Sequence, residues 1–334
     1  MIISKTPYRI SFFGGGTDYP SWYLKNGGSV LSTTIDKYIY ITCRYLPPFF
    51  DHKYRIVWSH IETVKKIHQI KHKAVKEMLK YLKIKNGLEI HYDGDLPARS
   101  GMGSSSVFVV GLMNLLNNFK EKKISKKILA QNSIFFEQKI LKEIVGSQDQ
   151  IASTYGGFNK INFNISGDFT VRKLFDKKKT LEKLEKNLLL IYTGITRTAH
   201  DIAKDYVNKL NNSKKSQIQE ISNYVKEAEK YLKTDDLISF SRLMHESWLQ
   251  KKSLSQHITN SKIDEIYNTA LKNGALGGKL LGAGGGGFFL IYAPYEKHKY
   301  IRNSLKKLIV TPFKFESGGS KILFQDLKKN RLNN

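Results

Sequence analysis

Four groups of residues in this sequence have the types and spacing that chemistry requires. The first is Asp95-Leu-Pro-Ala-Arg-Ser-Gly-Met-Gly-Ser-Ser-Ser106, in which Gly101 and Gly103 stand just before three hydroxyls, Ser104, Ser105 and Ser106. A glycine loop opening a helix aims free backbone N–H groups and the positive end of the helix dipole at one spot, which suits a phosphate. No Gly-Lys-Ser/Thr follows, so it is not a Walker A loop, and a strand–turn–helix corner with a serine N-cap accounts for the same residues. The second group is Gly14-Gly-Gly-Thr-Asp18, where glycines let another group approach the backbone and Asp18 offers a carboxylate at the rim. A glycine-rich hairpin turn is its structural alternative. The third is Lys279-Leu-Leu-Gly-Ala-Gly-Gly-Gly-Gly287, whose consecutive glycines cost backbone entropy and so imply a close approach. The fourth is a pair of carboxylates. Glu137 follows Phe135 and Phe136, a hint that it points inward, although most carboxylates are exposed. Asp149 lies in a polar patch at a helix start, where an N-cap is the default explanation.

The elements that must position these groups follow from the hydrophobic pattern. Thr6–Phe13 reads as a strand leading into the first glycines, and Gly87–Asp93 as a strand leading into the loop before Ser104. Val107–Leu116 is apolar nearly all round and reads as a buried helix. Ser29–Ile35 and Tyr38–Arg44 read as paired strands around a turn at Asp36-Lys37, and Ile61–Leu82 as one amphipathic helix. His68 and His72 are one turn apart on that helix, but no third ligand is evident, and an exposed polar face explains them better than zinc. Ser125 begins a helix that runs to Glu137, and Gly156-Gly157 turns into a strand over Phe158–Phe163. The lysine-rich stretch Asp176–Thr180 is the best domain boundary. After it come a buried strand at Leu188–Thr193 and helices over Ala199–Leu210, Ile218–Leu232, Leu237–Leu254 and Ile263–Lys272. The apolar strand Phe288–Tyr292 follows the last glycines, then a helix over Glu296–Leu308 and strands near Thr311–Phe315 and Lys321–Phe324.

Composition narrows the class. A chain of 334 residues, 40% hydrophobic and 25% charged, is long enough for two folded domains and is not of disordered type. Its one cysteine, Cys43, excludes an internal disulfide and suits a reducing compartment. The start lacks the pattern of a signal peptide, and the longest uncharged run, Leu280–Ala293, is too short to span a bilayer, so the protein is expected in the cytoplasm. The net charge of +26 comes from 46 lysines against nine arginines. The lysines are spread over nearly every helix rather than clustered with arginine and aromatics, which argues against nucleic acid as a partner. A positive field still draws in anionic substrates.

Taken together, Pro7-Tyr-Arg-Ile-Ser-Phe-Phe-Gly-Gly-Gly-Thr-Asp18, Pro97-Ala-Arg-Ser-Gly-Met-Gly-Ser-Ser-Ser106 and Lys279–Gly287 resemble, in this order, the three motifs of the GHMP kinases. The form Arg9–Asp18, with Ile35-Asp-Lys-Tyr38, looks most like the branch of D-glycero-D-manno-heptose 7-phosphate kinases. Those enzymes phosphorylate the anomeric C1 hydroxyl on the way to nucleotide-activated heptose for surface polysaccharide. The resemblance implies an α/β (α+β) fold, with an S5-like, ATP-binding N-terminal domain over residues 1–180 and a ferredoxin-like C-terminal domain over 181–334. It implies ATP and Mg²⁺ as cofactors and a sugar phosphate as substrate. Pro97, Ser100, Gly101, Met102, Gly103, Ser104, Ser105 and Ser106 would hold the nucleotide; Met102 replaces a leucine of many members. Ser105, or its neighbour Ser104, would share the metal with Glu137. Asp149, twelve residues on, matches the catalytic aspartate and Arg9 the basic residue facing it. Gly15, Gly16, Thr17 and Asp18 match the sugar-holding segment. Arg197 matches a basic position near the substrate, and Gly284 and Gly285 belong to the third motif. Another sugar 1-kinase of the superfamily, with a substrate such as fucose, and a basic nucleic-acid-binding protein on an S5-like fold are the rival readings. The oligomeric state is left open, with a homodimer possible.

Overall fold

The computed structural model describes residues 1–174, 178–196 and 199–326. A long first strand, β1 (Ile2–Phe13), is buried along most of its length and pairs antiparallel with β2 (Gly28–Tyr45). These two organise a nine-stranded sheet. Its main path also contains β5 (Leu88–Gly94), β3 (Tyr54–Val57) and β4 (Ile61–Val64), while β6 (Asn159–Phe163) pairs with β2 and β7 (Phe169–Lys173) with β6. Among the described residues only β3 and β5 run parallel. Helices α1 (Pro20–Asn26), α2 (Lys73–Tyr81), α3 (Ser104–Phe119), α4 (Lys126–Phe135) and α5 (Gln148–Tyr155) complete this part, with α3 lying against β1 and β2.

A second, four-stranded antiparallel sheet has the order β11 (Ile309–Thr311), β8 (Leu188–Tyr192), β10 (Phe288–Tyr292), β9 (Gly277–Leu280). It is accompanied by α6 (Lys178–Lys186), α7 (Ala199–Val207), α8 (Lys215–Lys233), α9 (Leu237–Lys252), α10 (Ser261–Lys272) and α11 (His298–Ser304). Helix α9 touches both β9 and β1, so it joins the two sheets. The chain then returns to the first sheet: β12 (Phe315–Glu316) pairs with β2 and β13 (Lys321–Gln325) with β1. Among the described residues no helix is long and apolar enough to cross a membrane.

Several expected elements are corrected. The two strands expected around Asp36-Lys37 are one continuous strand, β2. No turn is needed, because Asp36 is satisfied while extended: its N–H donates to the Lys314 carbonyl and its carboxylate accepts the Lys314 N–H. The helix expected over Ile61–Leu82 is broken into β4, a 3₁₀ turn at Ile67–Gln69 and the short α2. Glu62 is the cause: its buried carboxylate accepts Trp58 Nε1 and the N–H groups of Lys71 and His72, which fixes the chain in a non-helical path before α2. His68 and His72 therefore share no helix. His72 caps α2 by accepting the Val75 N–H and packs half-buried against Trp58 and Phe108 rather than on an exposed face. Among the described residues no cluster of three or more His, Cys, Asp or Glu is placed to hold a metal ion. The helix from Ser125 ends at Phe135, and a π-helical turn, Phe136–Ile140, carries Glu137.

Candidate active site

The loop before α3 owes its path to backbone contacts. Gly101 (φ +80°) and Gly282 (φ +71°) lie so close that a Cβ on Gly282 would come 2.5 Å from the Gly101 Cα, which forbids any side chain there. The Phe288 N–H donates to the Ser100 carbonyl at 3.1 Å. The first and third of these groups, 181 residues apart between these two glycines, are thus one structure. Helix α3 starts at Ser104 after a left-handed Gly103 (φ 72°), so glycine rather than serine is the N-cap. No side chain caps the helix, and its first N–H groups remain available to an anion.

Arg9, on β1, is 3% exposed and lies against the carboxylate of Asp149. Its Nε and Nη2 each donate to one Asp149 oxygen at 2.7 Å, and its Nη1 donates to the Gly101 carbonyl at 2.9 Å. Asp149 is in the first turn of α5, whose N-cap is Ser147, so it does not act as the cap. The α5 N-terminus also approaches Asp18: the Ser147 N–H donates to the Asp18 carbonyl and the Gln148 N–H to its carboxylate. The Gly16 N–H donates to Asp18 Oδ1 at 3.0 Å. Burial, with the nearby Asp149 charge added, pushes the Asp18 carboxyl up to about 6.

These groups line a cavity of about 400 Å³. Arg9, Asp149, Asp18, Gly15, Gly16, Gly101, Gly103, Ser104, Ser105, Ser106 and Gly284 all face it. Glu137 lies behind the serines, fully buried on its π turn. It accepts Ser105 Oγ at 3.2 Å and an amide hydrogen of Gln150. Burial pushes its carboxyl up to about 7 despite hydrogen bonds from Ser106, Gln150 and Ser105. A buried carboxylate beside a hydroxyl, without a cation partner among the described residues, fits a hard divalent ion that takes its other ligands from phosphate and water.

The remaining expected residues sit elsewhere. Thr17 is a pin, donating to the Gly14 and Ser29 carbonyls and accepting the Ser29 N–H, and it does not line the cavity. Pro97 is exposed, while Ser100 and Met102 are buried under the loop. Gly285 donates to the Ile258 carbonyl instead of lining the cavity. Arg197 lies outside the described residues. The lining residues missed as site residues include Lys251 on α9, Lys279 on β9, and Tyr19 and Tyr206, which meet edge to face with centroids 6.4 Å apart. Lys279 had a signal, its place in the third motif. Lys251 had none, being one lysine in a run on an amphipathic helix.

The sequence matches the GHMP kinases N terminal domain over residues 68–157 and the GHMP kinases C terminal domain over residues 228–307. It is 30% identical to a D-glycero-alpha-D-manno-heptose 7-phosphate kinase of Campylobacter jejuni, covering 96% of this chain and 98% of that protein. This chain belongs to the GHMP kinase family. Like its sugar kinase relatives, this GHMP kinase is a phosphotransferase with an alcohol group as acceptor. It is also 27% identical to an L-fucokinase/L-fucose-1-P guanylyltransferase of Bacteroides fragilis over 88% of this chain and 34% of that protein. The fold matches the crystal structure of a D-glycero-D-manno-heptose 1-phosphate kinase from Bacteroides thetaiotaomicron, with a TM-score of 0.80 over 98% of this chain and 100% of that one, at 21% identity.

Proposed function

We propose that this GHMP kinase transfers the γ-phosphoryl group of Mg-ATP to the anomeric C1 hydroxyl of D-glycero-D-manno-heptose 7-phosphate, giving the 1,7-bisphosphate. The product would feed nucleotide-activated heptose for surface polysaccharide in the cytoplasm. The observation that carries the reading is the Arg9–Asp149 pair facing the same cavity as the Gly101–Ser106 loop and Asp18. Phosphoryl transfer asks the protein for alignment and neutralised charge more than for covalent chemistry. In this reading the free N–H groups of the Gly101–Ser106 turn and the α3 dipole hold the nucleotide phosphates. Glu137 and Ser105 would hold Mg²⁺, which neutralises phosphate charge when bound. Asp18 and the Gly15–Gly16 backbone fix the sugar hydroxyls. Asp149 takes the C1 hydroxyl proton as the new O–P bond forms and the β,γ-bridging bond breaks, releasing ADP. Ser100 and Met102 shape the loop from below, Pro97 lies at its exposed entry, and Arg197 is the proposed ligand of the 7-phosphate. The two units divide at residue 180 in this reading, with β12 and β13 returning to the first sheet.

A second reading, a 1-kinase for an unphosphorylated sugar, draws on the Bacteroides fragilis relative. ATP consumption by the purified protein with Mg²⁺, across D-glycero-D-manno-heptose 7-phosphate, D-mannose, L-fucose and homoserine, separates the two. Turnover with the heptose phosphate alone is the expected result. Turnover only with an unphosphorylated sugar would replace the substrate and keep the mechanism.

A further inference from the structure

Two lysines of this cavity are given no task by the reading above. Lys279 is 5% exposed, and its Nζ donates to the Phe12 carbonyl at 2.7 Å. Half-buried Lys251 donates its Nζ hydrogens to the carbonyls of Leu280, at 2.8 Å, and Gly282. Both line the cavity with Arg9. Among the described residues neither has a carboxylate at ion-pair distance; their bonded partners are backbone carbonyls. An ammonium carries three N–H donors, so Lys279 keeps two and Lys251 one beyond these bonds. Burying like charges together without a counter-ion is costly. That cost appears in both groups: burial, the neighbouring Lys279 and Arg9 push Lys251 well down, and burial and Arg9 push Lys279 down to about 7. An arrangement that bears this cost while its donors face a cavity is built to receive an anion.

The position says which anion. Gly282, whose carbonyl holds Lys251, is in backbone contact with Gly101, and the Gly101 carbonyl is in turn held by Arg9. The lysines, Arg9 and the start of the phosphate loop therefore border one space, where Asp149 also points. We propose that Lys251 and Lys279 are catalytic residues whose ammonium groups bind the non-bridging oxygens of the phosphoryl group while it passes from nucleotide to acceptor. The inference rests on kinase activity and not on which sugar is the acceptor.

The binding part of the test uses nucleotides alone, so it succeeds or fails independently of the sugar. Lys251→Met and Lys279→Met in the full chain are titrated by calorimetry with MgADP and with the Mg complex of the non-hydrolysable ATP analogue AMPPNP. ADP affinity is expected to stay at the wild-type value, while AMPPNP binds roughly tenfold more weakly, the worth of one charged hydrogen bond. Turnover with whichever sugar is active should fall by roughly 10²-fold, as on removal of a donor to a transition-state oxygen. Unchanged affinity for both nucleotides in the folded variants overturns the proposal. So does a higher KM confined to phosphorylated sugars, which would assign the lysines to the acceptor's own phosphate. A measurement on the wild-type chain guards against misfolded variants. AMPPNP but not ADP should protect Lys251 and Lys279 from acetylation, read by peptide mass spectrometry, and equal labelling with both nucleotides overturns the proposal.

Discussion

Arg9 holds both carboxylate oxygens of Asp149 at 2.7 Å, joining a strand and a helix that are 140 residues apart in the chain. The planar guanidinium fork fixes the carboxylate plane as well as its charge. Each Asp149 oxygen retains a lone pair, and the carboxylate faces the cavity with 19% of the side chain exposed. Asp149→Asn keeps the shape but loses the proton acceptor. We expect it to melt near the wild-type temperature and to lose roughly 10²–10⁴ in kcat, the usual contribution of a general base. Turnover close to wild type would remove Asp149 from that role.

Gly103 supports the same pair by having no side chain. A Cβ there would stand 2.7 Å from Asp149 Oδ2 and 3.3 Å from Arg9 Cζ, and the residue has φ +72°. Gly103→Ala must displace the carboxylate, strain the loop, or both. A misplacement of about 1 Å can cost about 10²-fold in rate. The expected result is a loss of that order in kcat with the cooperative unfolding transition preserved. An alanine variant with normal kcat would mean that the loop adjusts freely and that the aim of the pair is set elsewhere.

Much of this site is legible in the sequence because glycine cannot be replaced where backbones touch. The three glycine groups mark such contacts in the sequence itself, and the strand patterns beside them are plain: Leu88–Asp93 alternates, while Phe288–Tyr292 is apolar throughout. What the sequence leaves unread depends on partners far away in the chain. Nothing local to Asp149 indicates that Arg9 will grip it instead of the α5 N-terminus. Asp36-Lys37 has the composition of a turn and becomes mid-strand only because Lys314 satisfies it. Glu62 breaks the expected helix through three donors, two of them backbone groups nine and ten residues later. Lys251 is invisible for the opposite reason: in a chain with 46 lysines, one half-buried lysine carries no compositional mark.

Asp18 makes the site sensitive to pH. Burial raises its carboxyl from an ordinary 3.8 to about 6. The folded state therefore holds a proton that the unfolded chain releases at lower pH. Between about 4 and 6 the folded state binds more protons, so stability falls as pH rises through this window and levels off above it. The shift is worth on the order of 3 kcal/mol at most. Asp18→Asn removes this term, so the variant should gain on wild type from pH 4 to pH 7 in urea unfolding. A gap between the two that does not change over this window would show that burial of Asp18 is not costly in the folded protein. The same variant should raise KM for the sugar, since Asn cannot accept hydroxyl hydrogen bonds at both terminal atoms.

Glu229 on α8 works in the other direction. It receives Lys160 of β6 at 3.0 Å, Arg172 of β7 at 2.8 Å and Lys233 one turn along its own helix at 2.6 Å, with 12% of its side chain exposed. Burial alone would raise its carboxyl, but Lys233, Lys160 and Arg172 outweigh it and hold the group down to about 2. A depressed folded value means that the stabilisation is complete above the unfolded carboxylate range and is lost as pH falls toward 2. In a chain of net charge +26, an acidic group binding three cations also relieves repulsion between α8 and the edge of the large sheet. Glu229→Gln leaves those cations facing one another. We expect it to cost roughly 1–3 kcal/mol at pH 7, the range for charged hydrogen bonds. The deficit should shrink as the pH is lowered from about 4.5 toward 2, where wild-type Glu229 is itself neutralised. Urea unfolding at pH 7 and pH 3 compares the full deficit with its reduced value part-way down this window. A deficit of equal size at the two pH values would mean that the loss comes from packing of the side chain and not from its charge.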